Sequence, residues 1–169
     1  VLAPLFGSGQ GSRASPALWL AISTLIIGLM PLHSKGVAFT DPFQTLDAKR
    51  HMDGFVDDTT AGFNSFLKNI MDVGLSVEEI KTNLQEAAQW WENLLYSTGG
   101  ELELTKCFYY IVAWVFNDEG EARLAQKDEI NVDITLKQSK DGKQANIEHK
   151  DCTEVHRTLG VMVAPTAQG

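Results

Sequence analysis

The sequence predicts an α+β fold with a mainly antiparallel sheet, and three observations carry that prediction. "SVEEIKTNLQEAAQWWENLLYSTGG" has the 3,4 apolar spacing of an amphipathic helix. Several short runs of β-branched and aromatic residues are bounded by turn residues, as strands are. Their order along the chain is helix, hairpin, helix, strand, hairpin, strand. With 169 residues, 44% hydrophobic and 21% charged, the chain suits one domain or a piece of a larger one. The two cysteines, Cys107 and Cys152, fit a reducing compartment better than a disulfide framework. A net charge of -8 argues against a self-sufficient nucleic-acid binder.

Residues 7–15, "GSGQGSRAS", read as a small-residue loop that leads into Pro16, a favoured residue of a first helical turn. The helix is expected to run to about Met30, where Pro31 stops it. Its apolar stretch, residues 16–30, has 15 residues against the roughly 20 that a spanning helix needs. The flanks also lack the basic lead and clean cleavage site of a signal peptide, so a buried helix is expected. After a loop over 34–47, two short strands are expected at about 49–56 and 59–64 with "VDDT" at the bend.

In the second helix Ser76 is the N-cap with Glu79 three residues on, a capping box. Val77, Ile80, Leu84, Ala87, Trp91 and Leu94 form its apolar face, and Gly99-Gly100 ends it. "CFYYIVAWVF", residues 107–116, is so continuously apolar that a buried strand is expected. Residues 117–130 place Asp118, Glu119, Glu121, Asp128 and Glu129 against Arg123 and Lys127, the pattern of a solvated insertion. A hairpin turning at Asp141-Gly142 follows, and "HRTLGVMVAP" reads as a closing strand.

Three constellations could carry chemistry. The glycines at 7, 9 and 11 before a helix could cradle a phosphate, yet no Lys-Ser/Thr pair follows as a P-loop requires. His149, Cys152 and His156 have near-ligand spacing, but a structural zinc site wants four ligands and only Cys107 could be the fourth. Asp57 and Asp58 are adjacent carboxylates at a bend that lacks Gly or Asn. Turn chemistry explains Asp there. A divalent cation such as Mg²⁺, which takes one or two carboxylates plus substrate phosphates, explains why both are present.

The order of these pieces resembles the palm of a retroelement reverse transcriptase, with the non-LTR type the nearer comparison. Gln10, Gly11, Ser15 and Pro16 match a Gln-Gly loop followed by Ser-Pro at a long helix. Phe55, Val56, Asp57 and Asp58 match an aromatic-x-Asp-Asp box. Gly100, Leu102 or Leu104, and Lys106 match a Gly-x-x-Leu…Lys element, and Leu159-Gly160 match a Leu-Gly primer grip.

The resemblance implies a palm-like antiparallel sheet with helices on one face, in an incomplete domain. Residues 1–116 would be the partial palm, 117–150 an acidic insertion and hairpin, and 151–169 the primer-grip strand and tail. It implies two Mg²⁺ or Mn²⁺ ions, with Asp57 the principal ligand, Asp58 a supporting one and Lys106 a proton donor or charge stabiliser. Gln10, Gly11, Ser15, Pro16 and Phe55 would border template and nucleotide. The partners implied are an RNA or DNA template with primer and dNTP, plus fingers and thumb segments, with no membrane; the location would be cytoplasm or nucleus. A further family aspartate, upstream of the Gln-Gly loop, has no match here, so the chain is expected to be inactive alone. The alternative is a degenerate or domesticated retroelement remnant acting as an interaction module.

Overall fold

The computed structural model describes residues 13–43, 45–55, 58–64, 76–158 and 161–166. Its content is mixed α and β, with two helices and short strands. The strands do not join into one mainly antiparallel sheet. Among the described residues they form four two-stranded sheets and one three-stranded sheet. The chain divides into two compact units, residues 1–102 with 136–145, and residues 103–135 with 146–169.

In the first unit, helix α1 (Ser15–Leu29) begins with Pro in its first turn and passes into a 3-10 turn, Met30–Leu32, that carries Pro31. Helix α2 (Val77–Ser97) has the expected capping box: Glu79 N–H donates to the Ser76 hydroxyl, and Ser76 N–H to the Glu79 carboxylate. Its C-terminus closes as a Schellman motif. Gly99 adopts φ +88, its N–H donates to Tyr96 O, and Gly100 N–H donates to Leu95 O. Ile26 and Met30 pack with Ala87, Trp91 and Leu95 to form the core of this unit. The buried stripe of α2 is therefore Ala87–Trp91–Leu95, and Val77, expected on it, is exposed at the helix start.

Helix α1 departs from the fully buried helix expected. Ile26 is its one fully buried residue, while Leu18, Leu20, Leu25 and Leu29 are exposed, as is Leu32 beyond it. A helix that is apolar all round has more apolar surface than a single partner helix can cover. By length and composition alone, Ser15–Leu32 is also apolar enough to cross a membrane.

Two hairpins complete this part of the unit. Strands β1 (Val37–Thr40) and β2 (Asp47–Arg50) pair antiparallel, as do β3 (Met52–Phe55) and β4 (Asp58–Ala61). Asp41 organises the first loop by accepting from the N–H groups of Phe43, Thr45 and Leu46. Asn64 extends the sheet edge with a side chain in place of a strand: its amide donates to Ala38 O and accepts from Ala38 N–H, both at 2.8 Å.

The second unit contains β5 (Phe108–Tyr109), β6 (Trp114–Phe116), β7 (Ala122–Leu124), β10 (His156–Thr158) and β11 (Val161–Val163). Strands β8 (Ile134–Lys137) and β9 (Gln144–His149) form the expected hairpin, with Gly142 at φ +74 beside Asp141. The order in the three-stranded sheet is β5-β9-β8, and β5 runs parallel to β9. The buried strand expected over 107–116 is broken into β5 and β6, with Val112, Trp114 and Phe116 exposed. The closing segment is a β10–β11 hairpin rather than one strand, and Leu159-Gly160 lie outside the described residues.

Candidate functional site

The β3–β4 hairpin positions the one described carboxylate of the Asp-Asp box. Its register is Met52↔Ala61, Asp53↔Thr60, Gly54↔Thr59 and Phe55↔Asp58. Directly paired residues share a face of a hairpin and neighbours alternate. Met52, Gly54, Thr59 and Ala61 therefore lie on one face, with Asp53, Asp58 and Thr60 on the other.

The first face is the seated one. Met52 packs against the core cluster, and Ile27 of α1 lies so close over Gly54 that a Cβ there would meet its Cδ1 at 2.9 Å. Small size at 54 lets helix and strand backbone approach. The second face is polar. Asp58 is exposed on it, and Asp53 pairs with Arg50 at 2.7 Å. The hairpin thus holds Asp58 on the side turned away from α1.

The other predicted site residues fall as follows. Ser15 and Pro16 are the first residues of α1. Phe55 ends β3 and pairs with Asp58. Gln10, Gly11, Val56 and Asp57 lie outside the described residues. Lys106 ends a 3-10 turn, Leu104–Lys106, and is exposed. It belongs to the second compact unit, whereas the hairpin belongs to the first. Beside it Glu103 accepts from the Thr105 hydroxyl at 2.6 Å, which with the Thr105 backbone N–H and the Lys106 charge keeps its carboxyl below the ordinary value.

Mg²⁺ takes about six oxygen ligands, of which carboxylates supply one or two. Among the described residues no three His, Cys, Asp or Glu side chains converge as a metal group would need. Asp58 offers one carboxylate at the hairpin and Asp53 is engaged by Arg50, so the described side chains do not by themselves compose a two-ion site.

The H-x2-C-x3-H spacing does not make a zinc site either. Cys152 is buried and its thiol donates to Ile111 O at 3.0 Å; burial, then Asp151, push its pKa up, away from the thiolate that zinc prefers. His149 stacks on Tyr109 with centroids 4.8 Å apart, and His156 packs on Phe108. Burial, then Lys127, lower the pKa of His149.

Sequence reasoning did not single out two open clefts. One, in the second unit, has a volume of about 930 Å³ and includes Lys127, Asp128, Asp133, His149 and Asp151. The other, in the first unit, is about 650 Å³ and includes His33, Lys35, Asn83 and Trp90. Neither is lined by a residue of the predicted polymerase site. Comparison with models of known protein families, with curated proteins and with solved structures finds no match.

Proposed function

We propose that this chain is part of an RNA-directed DNA polymerase, carrying palm elements of a reverse transcriptase and inactive by itself. One observation gives this reading its main structural support. The helix that opens with Ser15-Pro16 packs, through Ile27, beneath the hairpin that presents Asp58 on its opposite face. The helix opened by Ser15-Pro16 and the hairpin carrying Asp58 are thereby in direct contact, although about 40 residues separate Ser15-Pro16 from Asp58 in sequence.

In this reading Asp57 and Asp58 would be among the residues that hold two divalent ions, which would supply charge neutralisation for nucleotidyl transfer. What the chain itself supplies is placement. Phosphoryl transfer depends mainly on positioning and charge neutralisation. A hairpin seated on a helix through Met52 and Gly54 keeps a carboxylate fixed where a loop would let it wander. Lys106 is the proposed proton donor or charge stabiliser, with template, primer and dNTP as partners in the complete enzyme.

Primer extension on a homopolymer RNA template with Mg²⁺ or Mn²⁺ tests the proposal. The chain alone should extend nothing. The same chain produced with the upstream part of its reading frame should extend the primer, and Asp57→Asn should abolish that activity. Extension by the chain alone would overturn the inactivity. Extension by the longer protein that survives Asp57→Asn would overturn the site.

A further inference from the structure

The broken strand over 107–116 leaves a surface that the polymerase reading does not use. Strand β6 pairs with β7 in the register Trp114↔Leu124, Val115↔Arg123 and Phe116↔Ala122. Trp114, Phe116, Ala122 and Leu124 therefore share one face, and Val112, just before the strand, is exposed as well. Trp114 is 61% exposed and Phe116 69% exposed. Large aromatics seldom stand side by side in solvent on a monomer, and such faces mark interaction sites.

The hairpin is built to hold its shape. At its turn Asn117 accepts from Glu119 N–H and Glu121 N–H through its side chain, donates to the Glu121 carboxylate, and accepts from Gly120 N–H through its carbonyl. Gly120 adopts φ +82, the left-handed conformation that such a turn requires. The ladder continues past β7 with Ala125 N–H donating to Ala113 O. A face fixed before binding loses little conformational entropy on binding.

Charge selects the occupant. Asp118, Glu119 and Glu121 stand at the tip of this hairpin. Its cation, Arg123, pairs with Val115 on the opposite face and is held by both Glu129 oxygens at 2.6 and 2.7 Å. Nucleic acid and anionic lipid would meet like charge here, and a second copy would bring another net charge of -8. We propose that the β6–β7 hairpin docks a basic, amphipathic polypeptide segment, its apolar side on Trp114 and Phe116 and its cations beside the acidic tip. This goes beyond the polymerase reading and does not depend on it.

The test uses the full chain and a fluorescein-labelled peptide of alternating Lys and Leu, with a Ser-Leu peptide of equal length as the uncharged control. Anisotropy should report binding of the Lys-Leu peptide that weakens as salt rises, and much weaker binding of the control. Trp114→Ser/Phe116→Ser should weaken binding about tenfold with an unchanged far-UV spectrum, as loss of aromatic anchors does. Asp118→Lys/Glu119→Lys should weaken it comparably and remove the salt dependence. Should the aromatic variant lose its fold, the charge variant, which leaves the apolar face intact, still decides. Binding unchanged in the charge variant would overturn the proposal. So would sedimentation that shows Trp114-dependent self-association, which would make the occupant a second copy.

Discussion

The two compact units both bury apolar side chains, but on different scaffolds. The first is cored by two helices, whose Ile26, Met30, Ala87, Trp91 and Leu95 remove apolar surface from water, an interaction that needs no exact geometry. The second buries Tyr109, Ile111, Ala125, Ile130, Val132 and Ile134 on short strands and loops, and adds polar clamps. Tyr109 donates to Val132 O at 2.6 Å, Cys152 to Ile111 O, Arg123 grips Glu129, and Asp151 accepts from Lys127 N–H and from Thr153. All are directional, and the two that use the Glu129 and Asp151 carboxylates respond to acid. The contrast teaches that burial supports both regions, while the strand-built one adds ionised clamps that acid can undo.

The largest expected effect is in the helical core. Trp91→Ala removes a buried indole and leaves a cavity, a loss of about 3–5 kcal/mol. Denaturation followed by far-UV signal should shift to lower denaturant while amide resonances of Tyr109 and Val132 keep their own midpoint. A single shared midpoint would break the comparison, making the two units one cooperative body. Next is Glu92, buried on α2, whose carboxylate accepts from Ser139 N–H at 2.9 Å and from the Ser139 hydroxyl at 2.5 Å. Glu92→Ala deletes both bonds to the tip of the β8–β9 hairpin and should cost about 2 kcal/mol, with Glu92→Gln less harmful. Gly36 gives a smaller effect. It sits at φ +68, and a Cβ would meet His51 Nδ1 at 2.9 Å and Arg50 O at 3.0 Å. Gly36→Ala should therefore cost about 1–2 kcal/mol, read as a fall in Tm.

Helix α2 was legible almost to the residue, because a capping box and a Gly-Gly stop are local signals and Ser76, Glu79 and Gly99 act on their own backbone. The hairpin carrying Asp58 was legible from its strand-forming runs, although the strand expected at about 49–56 is divided between β2 and β3 and β4 begins at Asp58 itself. The aromatic run at 107–116 misled because apolar content cannot report whether anything covers it. The partner it would need is set by long-range contacts, which leave Trp114 and Phe116 in solvent. The same limit applies to α1, whose all-apolar composition predicts burial that two helices cannot complete. Side chains that replace backbone were also invisible. Asn64 on Ala38, and Gln89 on Lys137 with bonds of 2.8 and 2.9 Å, leave no sequence signature.

The smallest expected effect sharpens the comparison through acid. Glu129 is held at about 2 rather than the ordinary 4.5, first by the Arg123 side chain and then by Gln126 N–H. Asp151 is held at about 2 rather than 3.8, first by the Thr153 hydroxyl, then by the backbone N–H groups of Thr153 and Lys127. A carboxyl whose folded pKa lies below its unfolded one stabilises the fold above the unfolded value, and that contribution disappears as pH falls through the folded value. For these two groups the window runs from the ordinary 4.5 and 3.8 down to about 2. In the first unit the described carboxyls lowered by hydrogen bonds are Asp41, at a loop, Glu79, at the α2 N-cap, and Asp141, at the β8–β9 turn, all outside its apolar core. Acidification should therefore loosen the second unit before the first, seen as faster amide exchange at Arg123–Ala125 and Lys127 with exchange at Ala87–Leu95 unchanged. Arg123→Gln should raise the pKa of Glu129 and move the start of that loosening to higher pH. Loss of protection at Trp91 in the same pH step would show that the clamps and the core support one another.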